Sequence, residues 1–164
     1  MQITMTSRRS ALLASLAILS VAAVPAAFAQ TPQGAVVSQS PQDAILGKWE
    51  ADDGSVKLDM YKAGAEFQAR LLYGNQVVEA DNATFKQDTK NPAPALRSRS
   101  LKNIVFISGL RWDHGEWSGG SLYDGSSGST YHCKVEVKGS KMLLRGYLGI
   151  SILGQTREFH RIGG

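Results

Sequence analysis

The feature that most constrains this chain is a series of short runs in which apolar and polar residues alternate, each closed by turn chemistry. Val56, Leu58 and Met60 alternate with Lys57 and Asp59. Phe67, Ala69, Leu71 and Tyr73 alternate with Gln68, Arg70 and Leu72, and Tyr131, Cys133, Val135 and Val137 alternate with His132, Lys134 and Glu136. A period of two sends successive side chains to opposite faces of an extended strand, so each run predicts a half-buried β-strand. Asp52-Asp53-Gly54, Lys62-Ala63-Gly64, Asp113-His114-Gly115 and Lys138-Gly139-Ser140-Lys141 supply the residues that turns need. The runs predict about eight strands, near 46–51, 55–62, 65–73, 103–111, 116–123, 129–138, 141–148 and 155–162. No long helical period competes with them. The fold class is therefore all-β, with an up-and-down antiparallel barrel favoured over a β-sandwich.

In such a barrel successive connections fall at alternate ends. The tight turns at 62–64, 113–115 and 139–140 then share one end. The other end receives Asp52-Gly54, the long stretch 74–102, "DGSSGS" at 124–129 and the loop from Gly149 to Gly154. One closed end and one open mouth follow from this asymmetry. The Gly139-Ser140 turn also sets a register. Lys138 faces Lys141, Val137 faces Met142, Val135 faces Leu144 and Cys133 faces Gly146, which places Arg145 and Tyr147 on the outer surface.

The first 29 residues read as an export signal. Arg8 and Arg9 precede an apolar run from Ala11 to Val24, and Ala27-Phe28-Ala29 is a small-x-small cleavage site. The run is too short for a membrane span, so no transmembrane segment is expected in the mature chain. Residues 30–44, "QTPQGAVVSQSPQDA", lack periodicity and read as a flexible leader, which leaves 45–164 as a single barrel domain. Removing Arg8 and Arg9 from 18 basic residues against 14 acidic ones leaves a net charge of +2, too mild to point to nucleic acid. Cys133 is the only cysteine, so an internal disulfide is excluded. An exported, periplasmic protein is the expectation.

"ILGKWE" contains Gly47-Lys48-Trp49, the Gly-x-Trp that opens the first strand of lipocalin-like barrels, where an Arg of the last strand packs over the Trp. Arg161 or Arg157 is placed to do so. The chain from Trp49 onward resembles a bacterial exported family, domain of unknown function 2147. The resemblance rests on "NPAPALRSRSL" (91–101), "WSGGSLYDGSSGSTY" (117–131) and "RGYLGISILGQT" (145–156). That family usually has Asp at the position of Ala93, and Pro at those of Ser100 and Gly125. The resemblance implies a lipocalin-like barrel exported to the periplasm and no established activity.

Catalytic chemistry is not what the chain suggests. His114, His132 and His160 sit on separate elements without metal-ligand spacing, and His132 and Cys133 point to opposite faces of one strand. The serines near Gly119-Gly120 make no nucleophile elbow, and no paired carboxylates stand out. No cofactor or metal is implied. The candidates lie instead at the open rim. Arg97 and Arg99 make a positive lip for anionic head groups or are simply solvated. A short helix from Ala95 to Leu101 would partly close the mouth. Tyr123 and Tyr131 flank the "DGSSGS" turn, and Ile150, Ile152 and Leu153 form an apolar loop that is a portal, a docking element or a plug. The expected function is non-catalytic binding of a small apolar or lipid-like molecule at the mouth. The alternative is a filled barrel docking on an envelope component through its loops.

Overall fold

A computed structural model describes residues 40–163, so the expected signal peptide and the leader up to Gln39 lie outside the described residues. Eight strands follow one another: β1 Gly47–Ala51, β2 Val56–Ala63, β3 Glu66–Gly74, β4 Val105–Asp113, β5 Glu116–Asp124, β6 Ser129–Lys138, β7 Lys141–Tyr147 and β8 Gln155–Arg161. Each pairs antiparallel with its neighbour in sequence, and β1 closes on β8 through Trp49, Glu50 and Ala51. Closure leaves no unpaired sheet edge. Every strand end lies within two residues of the range that alternation predicts.

The β6–β7 register is the one set by the Gly139-Ser140 turn, with Val135 opposite Leu144 and Lys134 opposite Arg145. Period two fails once in β3. A register shift between Lys57 and Leu58 leaves Leu72 without a partner. Such a bulge turns every later side chain over. Tyr73, expected on the inner face with Leu71, therefore pairs with Lys57, and Gly74 takes the position opposite Val56. The β3–β4 pairing shifts register at Phe67–Ala69 and at Ala69–Arg70, and the β5–β6 pairing between Trp117 and Gly120. A Cβ at Gly120 would meet Leu110 Cδ2 at 2.6 Å and Cys133 Sγ at 2.7 Å, so only glycine lets β5 bend this close to the core.

The closed end is solid. Trp49, Trp117, Phe67, Leu110, Met142 and Phe159 are all buried there, and Trp117 stands edge-on to Phe67 with ring centroids 6.3 Å apart. Buried indoles need an acceptor for their N–H, and a 3-10 turn at Pro41–Ile45 supplies both. Trp49 Nε1 donates to the Ile45 carbonyl at 2.8 Å and Trp117 Nε1 to that of Gln42 at 3.1 Å. Ile45 itself is fully buried. Pro41–Ala44 thus belong to the base of the barrel, where the sequence suggested the end of a flexible leader.

The expected helix from Ala95 to Leu101 contracts to one 3-10 turn, Pro94–Leu96. Backbone pairing takes over beyond it: Gln87 and Ser100 form an isolated bridge, and the Leu101 N–H donates to the Lys86 carbonyl at 3.0 Å. The segment between β3 and β4 is accordingly a pinned flap. It buries Val77, Val78, Leu101 and Ile104 against the rim.

Candidate functional site

The mouth half of the barrel is hollow. A cavity of about 680 Å³ opens at the rim between the flap, the β5–β6 turn and the β7–β8 loop. Its walls are mainly apolar, with Leu71, Phe106, Leu122, Tyr131, Leu144 and Leu153 among the lining side chains. Volume and lining are those of a small-molecule site.

Arg157 brings a charge into this surface. It pairs with Leu144, whose side chain is core, so β8 sends Arg157 inward. Arg161 and Phe159 share its face by period two, and β8 thus supplies an inward Arg to each end of the barrel. At the mouth Arg157 Nη1 donates to Ser55 Oγ at 2.5 Å and lies 3.4 Å from Asp53 Oδ2. Hydrogen bonds from the Ser55 side chain and backbone hold the Asp53 carboxyl below the ordinary carboxylate range, and the charge of Arg157 adds to this. Parity with Phe159 carried the signal for Arg157 in the sequence, but only the Trp49 pairing separates its role from that of Arg161.

The rim residues singled out in the sequence divide. Tyr131 and Leu153 line the cavity, as does Tyr123. Arg97 and Arg99 do not. Arg97 Nε donates to the Asn91 carbonyl at 2.8 Å, and Arg99 meets Asp88 through Nε at 2.9 Å and Nη2 at 2.8 Å. In place of a positive lip, Arg99 neutralises a carboxylate with no exposed surface. Tyr123 Oη and Asn91 Nδ2 also donate to Asp88, the latter at 2.7 Å. Burial alone would raise the pKa of Asp88, yet these hydrogen bonds and the Arg99 charge outweigh it and hold the carboxyl low. The same burial, with the neighbouring Asp88, pushes the Tyr123 phenol up to about 12. Nothing in the sequence announced this cluster, because its members lie up to 35 residues apart with no shared period.

The β7–β8 loop is not a plug. Ile150, Ile152 and Leu153 are 63%, 79% and 78% exposed, and Leu148 is 65% exposed. Arg145 braces the loop from the outer surface, donating to the Ser151 carbonyl at 2.7 Å, the Ile152 carbonyl at 2.9 Å and Thr156 Oγ1 at 2.8 Å. Leu148 and Leu153 lie both on this exposed ridge and on the cavity wall.

At the other end Trp49, Arg161 and Gly47 form one unit. The Arg161 guanidinium sits 4.2 Å from the Trp49 ring, and a Cβ at Gly47 would stand 3.2 Å from Arg161 Nη1. Among the described residues no three His, Cys, Asp or Glu side chains gather in a metal-binding group. Burial pushes the Cys133 thiol up to about 12, which leaves it a core side chain rather than a nucleophile.

Residues 47–161 match the model of a family described as uncharacterized protein conserved in bacteria, domain of unknown function 2147. Among solved structures the chain is similar to protein HP1028 from the human pathogen Helicobacter pylori, described as belonging to the lipocalin family. That likeness has 25% identity and a TM-score of 0.61, and covers 72% of this chain and 82% of that one. A fainter likeness, 12% identical with a TM-score of 0.41, covers 75% of this chain and 99% of the fluorescent protein UnaG. No curated protein matches the sequence.

Proposed function

Since the chain belongs to the bacterial family of domain of unknown function 2147 and is built as a lipocalin-like barrel, we propose that it binds a small apolar or amphipathic molecule in its mouth without turning it over. One observation carries the reading. The barrel is filled at its base and hollow at its mouth, where a cavity of about 680 Å³ has mainly apolar walls. A barrel that served only as a docking platform would gain by filling that space, because each buried methylene contributes about 0.8 kcal/mol. Native mass spectrometry of protein purified from its own compartment, followed by lipid extraction, tests the proposal. A co-purifying amphiphile supports it. A protein that carries nothing and has no affinity for a fluorescent fatty acid counts against it.

The proposed compartment is the periplasm, supported by Arg8-Arg9, the apolar run and Ala27-Phe28-Ala29. Cell fractionation with N-terminal sequencing tests it, and a mature chain starting at Gln30 is the expected result. A second reading, docking of the rim on an envelope component, is favoured by the exposed ridge from Leu148 to Leu153.

A further inference from the structure

We propose that Arg157 anchors the head group of the ligand, and that this ligand is an amphiphile with a carboxylate head and an apolar tail. The inference rests on the reading of the mouth cavity as a binding site, and it names the ligand class.

Among the described residues Arg157 is the only Lys or Arg side chain on the cavity lining. The other arginines of the rim are engaged elsewhere: Arg99 on Asp88, Arg97 on the Asn91 carbonyl and Arg145 on the β7–β8 loop. The Arg157 guanidinium is only half used. Nη1 holds Ser55 and approaches Asp53, while Nε and Nη2 have no acceptor among the described residues. Nε and Nη2 form one planar edge of the guanidinium, the edge that takes both oxygens of a carboxylate. With 55% of the side chain accessible, a ligand can reach it.

The surroundings favour an anion at that edge. Leu144, directly across the ladder from Arg157, and Leu153 present apolar walls, which strengthen a charge-assisted hydrogen bond relative to bulk water. Two carboxylates lie near enough to matter. Asp124 lines the cavity but is committed to its own turn, accepting from Ser126 N at 2.9 Å, Ser126 Oγ at 2.7 Å and Ser127 Oγ at 2.7 Å. Asp53 stands at the long distance of 3.4 Å with 62% of its side chain exposed, and Ser55 keeps it satisfied through two hydrogen bonds of its own. The anchor is thus oriented by Ser55 without being neutralised by a tight ion pair. An alkyl tail then runs toward Leu71 and Phe106, deeper in the wall.

Calorimetric titration of the purified protein with dodecanoic acid and with dodecan-1-ol separates head from tail. The acid should bind about tenfold or more tightly than the alcohol, as expected for an added charge-assisted hydrogen bond. Arg157→Gln should bring the acid down to the alcohol's affinity and leave the alcohol unchanged, and Arg157→Lys, which keeps charge but not the fork, should fall between. Rising salt should weaken the acid alone in the unmodified protein, an arm that requires no variant to fold. Equal binding of acid and alcohol by the unmodified protein overturns the anchor while the cavity reading stands. Parallel loss of both ligands in Arg157→Gln does the same. Failure of both ligands to bind overturns the anchor and the cavity reading together.

Discussion

Arg161 and Trp49 face each other across the β1–β8 seam, the guanidinium 4.2 Å from the indole centroid, so the contact that closes the barrel joins its first strand to its last. Arg161 reaches further, donating to the Leu46 carbonyl at 2.7 Å and the Ala44 carbonyl at 2.5 Å. The 3-10 turn, the seam and the base of the core meet at one side chain.

Removing the indole should therefore be costly. Trp49→Ala loses a fully buried ring and opens a cavity, which is expected to cost about 3–5 kcal/mol. Arg161→Met keeps an apolar stem over the ring but drops the cation and two donors, for an expected loss of about 1–3 kcal/mol. Urea midpoints of the two variants against the unmodified protein check the order.

The Asp88 cluster holds the flap, and its removal should act on the flap first. Asp88→Ala leaves the Tyr123 and Asn91 donors without their acceptor and the partly exposed Arg99 without its partner, which is expected to cost about 1–3 kcal/mol. Hydrogen exchange should quicken across residues 75–104 before it does in β6 and β7.

Stability should depend on pH at both extremes through the same cluster. The Asp88 carboxyl is held below its ordinary 3.8, so the unfolded chain takes up the proton first on acidification. Its contribution is fully present above 3.8 and is lost as pH falls through the lower folded value. Tyr123 works in the opposite sense. Its contribution is complete below 10.0 and is lost as pH rises toward about 12. Urea midpoints across pH should show the unmodified protein converging on Asp88→Asn in acid and on Tyr123→Phe in alkali. Parallel curves would contradict both assignments.

The loop substitution should leave the barrel standing. Ile150, Ile152 and Leu153 are already mostly in water, so replacing all three by Ser should move stability by no more than about 0.5 kcal/mol per site. Arg145 bonds the loop through backbone carbonyls that serine retains. An unchanged urea midpoint with weaker amphiphile binding is the expected pair of results, and a collapsed midpoint would mean that the loop supports the core after all.

Gly128 should tolerate no side chain. Its φ of +78° is left-handed, and a Cβ there would press into the Lys90 carbonyl, where the β5–β6 turn meets the flap. Gly128→Ala is expected to cost about 1–3 kcal/mol and to loosen the flap. Thermal melting with hydrogen exchange at residues 86–92 checks it.

What was readable in the sequence was whatever depends on neighbours along the chain. Alternation and turn residues located eight strands, and the Gly139-Ser140 turn set the facing of Cys133, Arg145 and Leu144 correctly. Tyr73 escaped because a bulge is one unpaired residue with no signature of its own. The helix from Ala95 to Leu101 was a local preference defeated at a distance, since Arg99 is drawn to Asp88 and Ser100 to Gln87. The cavity was the least legible, because empty space is set by which side chains fail to meet. Arg157 shows the limit well. Its face follows from Phe159, but its place at the mouth requires knowing which Arg the Trp49 ring selects.

The 3-10 turn that seals the base also decides how the molecule can be held. The described chain enters at Pro41–Ile45 and leaves after Arg161, both beside Trp49 and on the side away from the cavity. An attachment at either end therefore grips the barrel by its foot, as a cup is held from below, with the mouth presented outward. Immobilised through Pro41 or Ile162, beside that base, the barrel should keep its full capacity for ligand, whereas coupling through the lysines of the flap should block entry.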